Sequence, residues 1–218
     1  SHFKLRLKKT FTDKVKLTLG SDYFITHFSE NYNQYAVADF TDGYKANIFA
    51  TYAETDIYFT RNLGITVGFR YSNNNYLNTN TLSPRFSMGY KINKYNQFSL
   101  NYGLFEQSPK QDYIKFTNNL QNERATHYIL NYQFNKNRQT LKMAAYFKDY
   151  THLVKYDTTA PIFNSVYTNS GSGYAQGLDV FWRDNKNIKN LEYWVSYSFL
   201  DTQRDYRNYT EKVTPGFA

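Results

Sequence analysis

Hydrophobic and polar residues alternate along most of this chain with a period of two, and the three-to-four spacing of amphipathic helices is nearly absent. This alternation predicts β-strands whose two faces meet different surroundings. We identify ten segments, and the predicted members of their apolar face are Phe3, Leu5, Leu7; Val15, Leu17, Leu19, Ser21, Tyr23, Ile25; Ala53, Thr55, Ile57, Phe59; Leu63, Ile65, Val67, Phe69, Tyr71; Phe86, Met88, Tyr90, Ile92; Phe98, Leu100, Tyr102, Leu104; Tyr128, Leu130, Tyr132, Phe134; Leu141, Met143, Ala145, Phe147; Leu178, Val180, Trp182; and Leu191, Tyr193, Val195, Tyr197, Phe199.

The apolar face carries no charge, whereas the residues between its members are rich in lysine, arginine, asparagine, serine and glycine. A lysine or arginine facing lipid at mid-bilayer costs about 2–4 kcal/mol, while a water-filled lumen tolerates it. This segregation is typical of a barrel wall with lipid on one side and water on the other. The third strand is ambiguous, because its part from Tyr44 to Tyr52 fits either face.

A soluble sandwich also alternates, so the connections between strands are needed to separate the two folds. The predicted short connections are residues 10–14, 60–62, 93–96, 135–138 and 184–189, and the long ones are residues 30–42, 72–82, 106–123, 156–171 and those beyond 201. Membrane barrels alternate short periplasmic turns with long extracellular loops in this way. The fold predicted is therefore all-β, an antiparallel transmembrane β-barrel in the bacterial outer membrane.

Composition narrows the classes further. Aromatic residues make up 20% of the 218 residues, with 23 Tyr and 18 Phe, although the mean hydropathy is only −0.72. The net charge is +8, but the cations are spread singly and not clustered as nucleic-acid binding requires. Cysteine is absent, which excludes disulfides and thiolate metal sites. No apolar run is long enough for a membrane-spanning helix.

The chain is expected to be only part of a barrel. It starts directly in a strand and ends in a loop-like stretch, and its lumen set contains many small residues: Gly20, Gly64, Gly68, Gly89, Gly103 and Gly177. Small residues suit a wide bore packed against something else, and transporters of about 22 strands hold a plug. Residues 1–218 are thus predicted to be about ten strands of such a barrel, without its plug domain and its C-terminal strands.

Three stretches resemble the barrel of TonB-dependent receptors of the Bacteroidetes type. They are SPRFSMGYKINKYNQFSLNYGLFEQSP at residues 83–109, YFKDYTHLV at residues 146–154, and SGSGYAQGLDVFW at residues 170–182 followed by YWVSYSFLDTQRDY at residues 193–206. The resemblance implies active uptake of a nutrient such as a metal chelate, a saccharide or a peptide. It implies as partners the outer-membrane lipid, a plug domain and the TonB complex of the full-length protein, and it allows a surface lipoprotein. Residues 1–218 depart from the full family in lacking the plug domain and the TonB box.

Aromatic and amide side chains in the long loops are the candidates for ligand contact, since loops carried by a rigid scaffold often bind ligands. They are Asn75, Tyr76, Tyr113, Phe116, Asn118, Tyr156 and Tyr167. Ordinary loop-forming roles remain an alternative for each.

Polar residues of the opposite face are expected to line the lumen or contact a plug: Arg70, Arg85, Lys91, Asn101, Lys148, Asp179 and Glu192. The lumen set is mostly basic, which is compatible with an anion-attracting bore. Pairing with acidic residues of a plug, or simple solvation of these side chains, is the favoured alternative. The four histidines show no ligand spacing, so no metal and no cofactor is predicted. An enzyme built from Asp149, His152 and Ser165 or Ser170 is disfavoured, and a passive porin or a small self-closed barrel remains the alternative function.

Overall fold

A computed structural model describes residues 1–32 and 40–216 as one antiparallel sheet whose ten strands follow each other in chain order. This confirms the all-β prediction. The predicted long connection at residues 30–42 lies largely outside the described residues. The strands are β1 His2–Thr12, β2 Val15–Tyr32, β3 Phe40–Tyr58, β4 Leu63–Asn74, β5 Thr79–Lys91, β6 Asn96–Gln107, β7 Glu123–Lys136, β8 Gln139–Tyr156, β9 Tyr167–Asp184 and β10 Tyr193–Arg204, and one helical turn, α1, covers Gln111–Ile114.

The register joins the predicted apolar sets into a single face across all nine strand pairs. One row of paired residues runs through Leu100, Leu130, Ala145, Leu178 and Phe199 on five successive strands. Large side chains of this face are exposed, as expected where lipid tails are the solvent. We call it the lipid face and the opposite one the lumen face.

The register also resolves the ambiguous upper part of β3. Phe49 pairs with Tyr23 and is exposed on the lipid face. Tyr44, Ala46 and Ala50 have the opposite parity and are buried. The end of the sheet reached by Tyr44 is the long-loop end, and the other is the turn end.

Tight hydrogen-bonded turns connect the strands at the turn end. Thr12 Oγ1 accepts from the backbone N–H groups of Lys14 and Val15. In the same way, Thr60 Oγ1 accepts from the backbone N–H groups of Asn62 and Leu63. Asn137 and Arg138 both have positive φ, as a two-residue hairpin turn of type I′ requires. Four of the five predicted short connections are confirmed, whereas the connection between β9 and β10 is longer than predicted because β10 begins only at Tyr193.

At the long-loop end the prediction is wrong for one connection. Residues 72–82 were expected to form a long loop, but β4 continues to Asn74 and β5 begins at Thr79, which leaves four residues. The ends of β4 and β5 extend beyond the apolar belt into water, so polar residues occupy both of their faces. The hydrophobic pattern therefore did not reveal these strand ends. The β6–β7 loop, residues 108–122, and the β8–β9 loop, residues 157–166, are long as predicted.

Aromatic rings of the sheet itself cover most of the lumen-face glycines. A Cβ built on Gly177 would lie 2.4 Å from the Tyr146 hydroxyl and from the Phe199 carbonyl oxygen, and one on Gly20 would lie 2.3 Å from the Tyr52 ring. Rings also lie over Gly64 and Gly103. The small residues therefore accommodate neighbouring tyrosine and phenylalanine rings, and they do not by themselves indicate a packed partner in the bore.

The substitution Gly177→Ala is expected to destabilise the folded wall by about 1–3 kcal/mol, because the added methyl group meets backbone as well as ring atoms. Gly89→Ala is the matched control, since nothing lies within 4 Å of a Cβ at that lumen-face position. Urea unfolding of the detergent-solubilised protein measures both. Equal midpoints for the two variants would contradict the crowding seen at Gly177.

Candidate functional site

The β6–β7 loop folds inward over the lumen face at the long-loop end. Ile114 and Leu120 of this loop are only 5% and 2% exposed. They belong to one apolar cluster with Tyr44 of β3 and Val154 of β8, elements at opposite sides of the sheet. The buried aliphatic side chains of this cluster therefore hold the loop against the lumen face at the long-loop end.

Polar contacts hold the same loop in place. Lys115 Nζ lies 2.6 Å from Glu30 Oε2 on β2. The Tyr76 hydroxyl donates to the Ile114 carbonyl oxygen over 2.9 Å, which ties the β4–β5 connection to α1. The loop is thus attached to the wall by buried apolar side chains, an ion pair and a backbone contact together.

A group of aromatic rings lies where this loop meets the tops of β8, β9 and β10. Ring centroids are 5.6 Å apart for Tyr113 and Tyr156, 6.1 Å for Tyr113 and Tyr167, and 6.2 Å for Tyr156 and Tyr206. Phe116 stacks on Tyr167 at 6.4 Å. We call these five residues the mouth cluster.

Cations border the mouth cluster. The Arg207 guanidinium lies 5.0 Å from the Tyr206 ring centre, and Arg204 is close enough to affect the ionisation of Tyr113. The Nε atoms of both arginines are buried and have no hydrogen-bond partner in the described part of the chain. The Tyr156 and Tyr206 phenols lie against the Arg207 guanidinium and raise its pKa, so the rings and this cation form one unit.

Burial raises the pKa of Tyr113 to about 12, and the neighbouring Tyr156 adds to the shift. Its phenol therefore stays neutral at physiological pH. A neutral phenol can donate a hydrogen bond, which a phenolate cannot. Together with the two arginines, the cluster offers flat apolar faces and hydrogen-bond donors at one place.

The structure brings five of the seven loop candidates to this end of the lumen face: Tyr113, Phe116, Tyr156 and Tyr167 in the mouth cluster and Tyr76 beside it. Asn75 instead has a local role, since its Oδ1 accepts from the Asn47 backbone N–H over 2.6 Å. Asn118 lies apart, in a cleft treated below.

Sequence analysis missed Tyr206, Arg204 and Arg207. They stand in the run Gln203 to Arg207, which was treated as an undifferentiated loop. The hydroxyl and backbone N–H of Ser172 both donate to Asp205 Oδ2, and this fixes the segment after β10. The sequence signal that could have indicated a binding site was the close spacing of arginine and tyrosine residues directly after the end of β10.

Most lumen-face candidates lie on strands where the register places them. Arg70 Nη1 is 2.6 Å from Asp22 Oδ2, the Arg85 guanidinium lies 4.8 Å from the Phe105 ring centre, and Lys148 Nζ lies over Tyr146. Lys91, Asn101 and Asp179 lie on β5, β6 and β9.

Glu192 is placed differently from the prediction. β10 begins at Tyr193, so Glu192 lies in the β9–β10 turn, where it forms an ion pair with Arg183. The polar turn residues continue the alternation of the strand, which is why the sequence pattern extended it too far.

The acidic, histidine and serine side chains of the described residues were candidates for metal binding or hydrolysis. Residues 1–32 and 40–216 contain no group of three or more acidic or histidine side chains that could hold a metal ion. The Ser165 and Ser170 hydroxyls are hydrogen-bonded to Thr158 and Thr168. Within the part of the chain that the structure covers, no helix has the length and hydropathy to cross a membrane.

Comparison with known proteins gives one family and several similar folds. Residues 2–216 match the family described as TonB dependent receptor-like, beta-barrel. No curated protein matches the sequence.

Three solved structures illustrate the fold likeness. The siderophore receptor PirA from Pseudomonas aeruginosa has a TM-score of 0.71 at 15% identity, covering 93% of this chain and 41% of its own. The outer membrane transporter YddB from Escherichia coli has a TM-score of 0.70 at 13% identity, and the match covers 93% of this chain and 33% of YddB. The FrpB iron transporter from Neisseria meningitidis has a TM-score of 0.73 at 12% identity, and the match covers 91% of this chain and 34% of FrpB. The chain thus spans well under half the length of each.

Proposed function

The chain belongs to the family of TonB-dependent receptor-like β-barrels, proteins of the outer membrane, and from this membership we propose that it forms part of a receptor for the active uptake of a nutrient. The long-loop end is then extracellular. The observation that carries the proposal is the inward fold of the β6–β7 loop, which places the mouth cluster above the lumen. A ligand bound there lies at the entrance of the bore.

We propose further that the residues are about ten strands of a barrel of about 22. The strand order runs linearly from β1 to β10, so in the described residues these two strands are the edges of an open sheet. Partners supplied by the rest of the receptor are a plug domain, the TonB complex and the surrounding lipid. A surface lipoprotein and the Bacteroidetes assignment stay predictions.

Among metal chelates, saccharides and peptides, the mouth cluster favours an anionic chelate with aromatic groups. Five rings offer stacking surfaces, and the half-buried guanidinium groups of Arg204 and Arg207 place positive charge beside them for negatively charged oxygens. Two of the proteins with a similar fold are a siderophore receptor and an iron transporter, which agrees with this class. A saccharide would use the rings but leave the guanidinium groups without a charged partner.

The substitution Arg204→Ala is expected to weaken binding of such a chelate by about tenfold or more, because a hydrogen bond to a charged group contributes about 1.5–3 kcal/mol. Quenching of intrinsic fluorescence in the full-length receptor, titrated with ferric enterobactin as probe, measures the affinity. Arg61→Ala, in the β3–β4 turn at the other end of the sheet, is the matched control. Equal loss in both variants would contradict a ligand site at the mouth.

A transport assay separates the receptor from the alternative of a passive porin. Cells carrying the full-length protein should accumulate the iron chelate only while TonB is present and the inner membrane is energised. Accumulation that continues without TonB would favour a porin. Hydrolytic activity dependent on His152 would instead revive the enzyme alternative.

A further inference from the structure

Strands β5 and β6 separate at the extracellular end of the wall. Their pairing covers only Arg85 with Gly103 through Lys91 with Gln97, although β5 begins six residues earlier, at Thr79. Pro84 is the next residue of β5 beyond the pair of Arg85 with Gly103, on the extracellular side. Proline has no N–H to give to a strand ladder, which explains why pairing with β6 stops at this residue.

The separation leaves a cleft of about 730 Å³, large enough for a small ligand. Its outer wall includes Leu82 and Glu106, which have lipid-face parity, and its inner wall includes Leu77 and Leu120 of the apolar cluster. The cleft therefore runs from the flank of the wall to the underside of the β6–β7 loop. Six amide residues line it: Asn78, Asn80, Asn118, Asn119, Gln121 and Asn122. We call it the flank cleft.

Two polar atoms of the flank cleft are buried without a partner. Thr79 Oγ1 and Asn122 Oδ1 make no hydrogen bond to any described residue. Asn80 Oδ1 accepts from the Tyr71 hydroxyl at 2.8 Å and from Asn73 Nδ2 at 2.9 Å, so its own NH₂ group remains a donor. The lining therefore presents both acceptors and oriented donors.

The flank cleft is rigidly framed and carries little net charge. Asn169 Oδ1 accepts from the Gln121 backbone N–H, and Asn169 Nδ2 donates to the Gln121 carbonyl oxygen, which fixes residues at the loop end. Glu106 and Arg124 neutralise each other across 2.8 Å. Glu106 is the carboxylate of this lining and Arg124 its guanidinium, and because each is engaged by the other, neither a metal ion nor an anion finds an unpaired charge of opposite sign there.

We propose that the flank cleft binds an uncharged, hydroxyl-rich ligand, that is, a neutral saccharide. Hydroxyl groups donate and accept at once, so a sugar can satisfy the Asn80 amide, Thr79 Oγ1 and Asn122 Oδ1 together. The ligand is either a free sugar or the sugar headgroup of a membrane glycolipid, since Tyr71 of the lipid face stands directly beside Asn80. The site is separate from the mouth cluster and does not depend on transport.

The test uses the full-length receptor in a sugar-free detergent on an array of neutral and charged glycans. Binding of neutral glycans is expected, with affinity reduced about tenfold by Asn80→Leu and by Asn118→Ala, because each removes hydrogen bonds to the sugar. Asn118 is exposed, so its truncation leaves the fold intact. Asn164→Leu, at an exposed position of the β8–β9 loop, should change nothing.

Titration of the bound glycan as free sugar and as its alkyl glycoside distinguishes the two sources, because a membrane glycolipid site prefers the alkyl form. Retention of charged glycans alone, no glycan binding, or an affinity of the Asn80→Leu and Asn118→Ala variants equal to that of the unsubstituted receptor would overturn the proposal. Sugar binding abolished by Arg204→Ala would place the sugar in the mouth instead and also overturn it. Failure of chelate binding with intact glycan binding would count against the mouth proposal only.

Discussion

The substitution Leu130→Arg is expected to destabilise the barrel in a bilayer by about 2–4 kcal/mol, one of the largest single-residue effects available in this wall. Leu130 is 49% exposed on the lipid face and pairs with Leu100 on one side and Ala145 on the other. Tyr128 and Tyr132 precede and follow it on the same face of β7, so it lies near the middle of the apolar belt. An arginine there has no route to water except by distorting the bilayer.

The neighbouring substitution Asn131→Arg is the control, because Asn131 has lumen parity and its arginine would meet water. It loses only the hydrogen bond from Asn131 Nδ2 to Ser99 Oγ, about 1 kcal/mol. Folding of both variants into lipid vesicles in a urea series gives the two free energies. A larger loss at position 131 would mean that the lipid and lumen faces are assigned the wrong way round, and similar losses would mean that the two faces do not meet different surroundings.

The strands and their faces could be predicted from sequence because lipid and water select opposite residues at every second position. Pairing then follows from chain order in an antiparallel meander, and the rows through Leu100 and Leu130 follow from it. The same logic fails where both faces meet water. It missed the tops of β4 and β5, near Asn74 and Thr79, and it extended β10 to Glu192.

The candidate site was predictable in residue types but not in arrangement. Tyrosines in long loops indicated ligand contact, yet nothing in the alternation says that Ile114 and Leu120 fold inward and bring Tyr113 to Tyr156. That contact joins residues far apart in the chain through packing alone. Arg204 was missed for the same reason, since its importance lies in its neighbours.

Leu120 is expected to make a large contribution to the stability of the closed β6–β7 loop. Leu120→Ala should weaken the closed arrangement of this loop by about 2–5 kcal/mol, because Leu120 is 2% exposed and truncation leaves a cavity in the apolar cluster. The strands do not depend on this cluster, so the loss should appear as local opening and not as unfolding of the wall.

Trypsin can report that opening, since Lys110 and Lys115 lie in the loop. When opening is fast and cleavage slow, the cleavage rate follows the open population, so a loss of about 2 kcal/mol raises it about thirtyfold. Ile162→Ala, at a 47% exposed position of the β8–β9 loop, should leave the rate unchanged. Because the mouth cluster includes Tyr113 and Phe116 of the same loop, chelate affinity should fall in parallel with the faster cleavage. Faster cleavage with unchanged affinity would mean that the ligand does not use the loop, whereas unchanged cleavage would mean that Leu120 does not hold it closed.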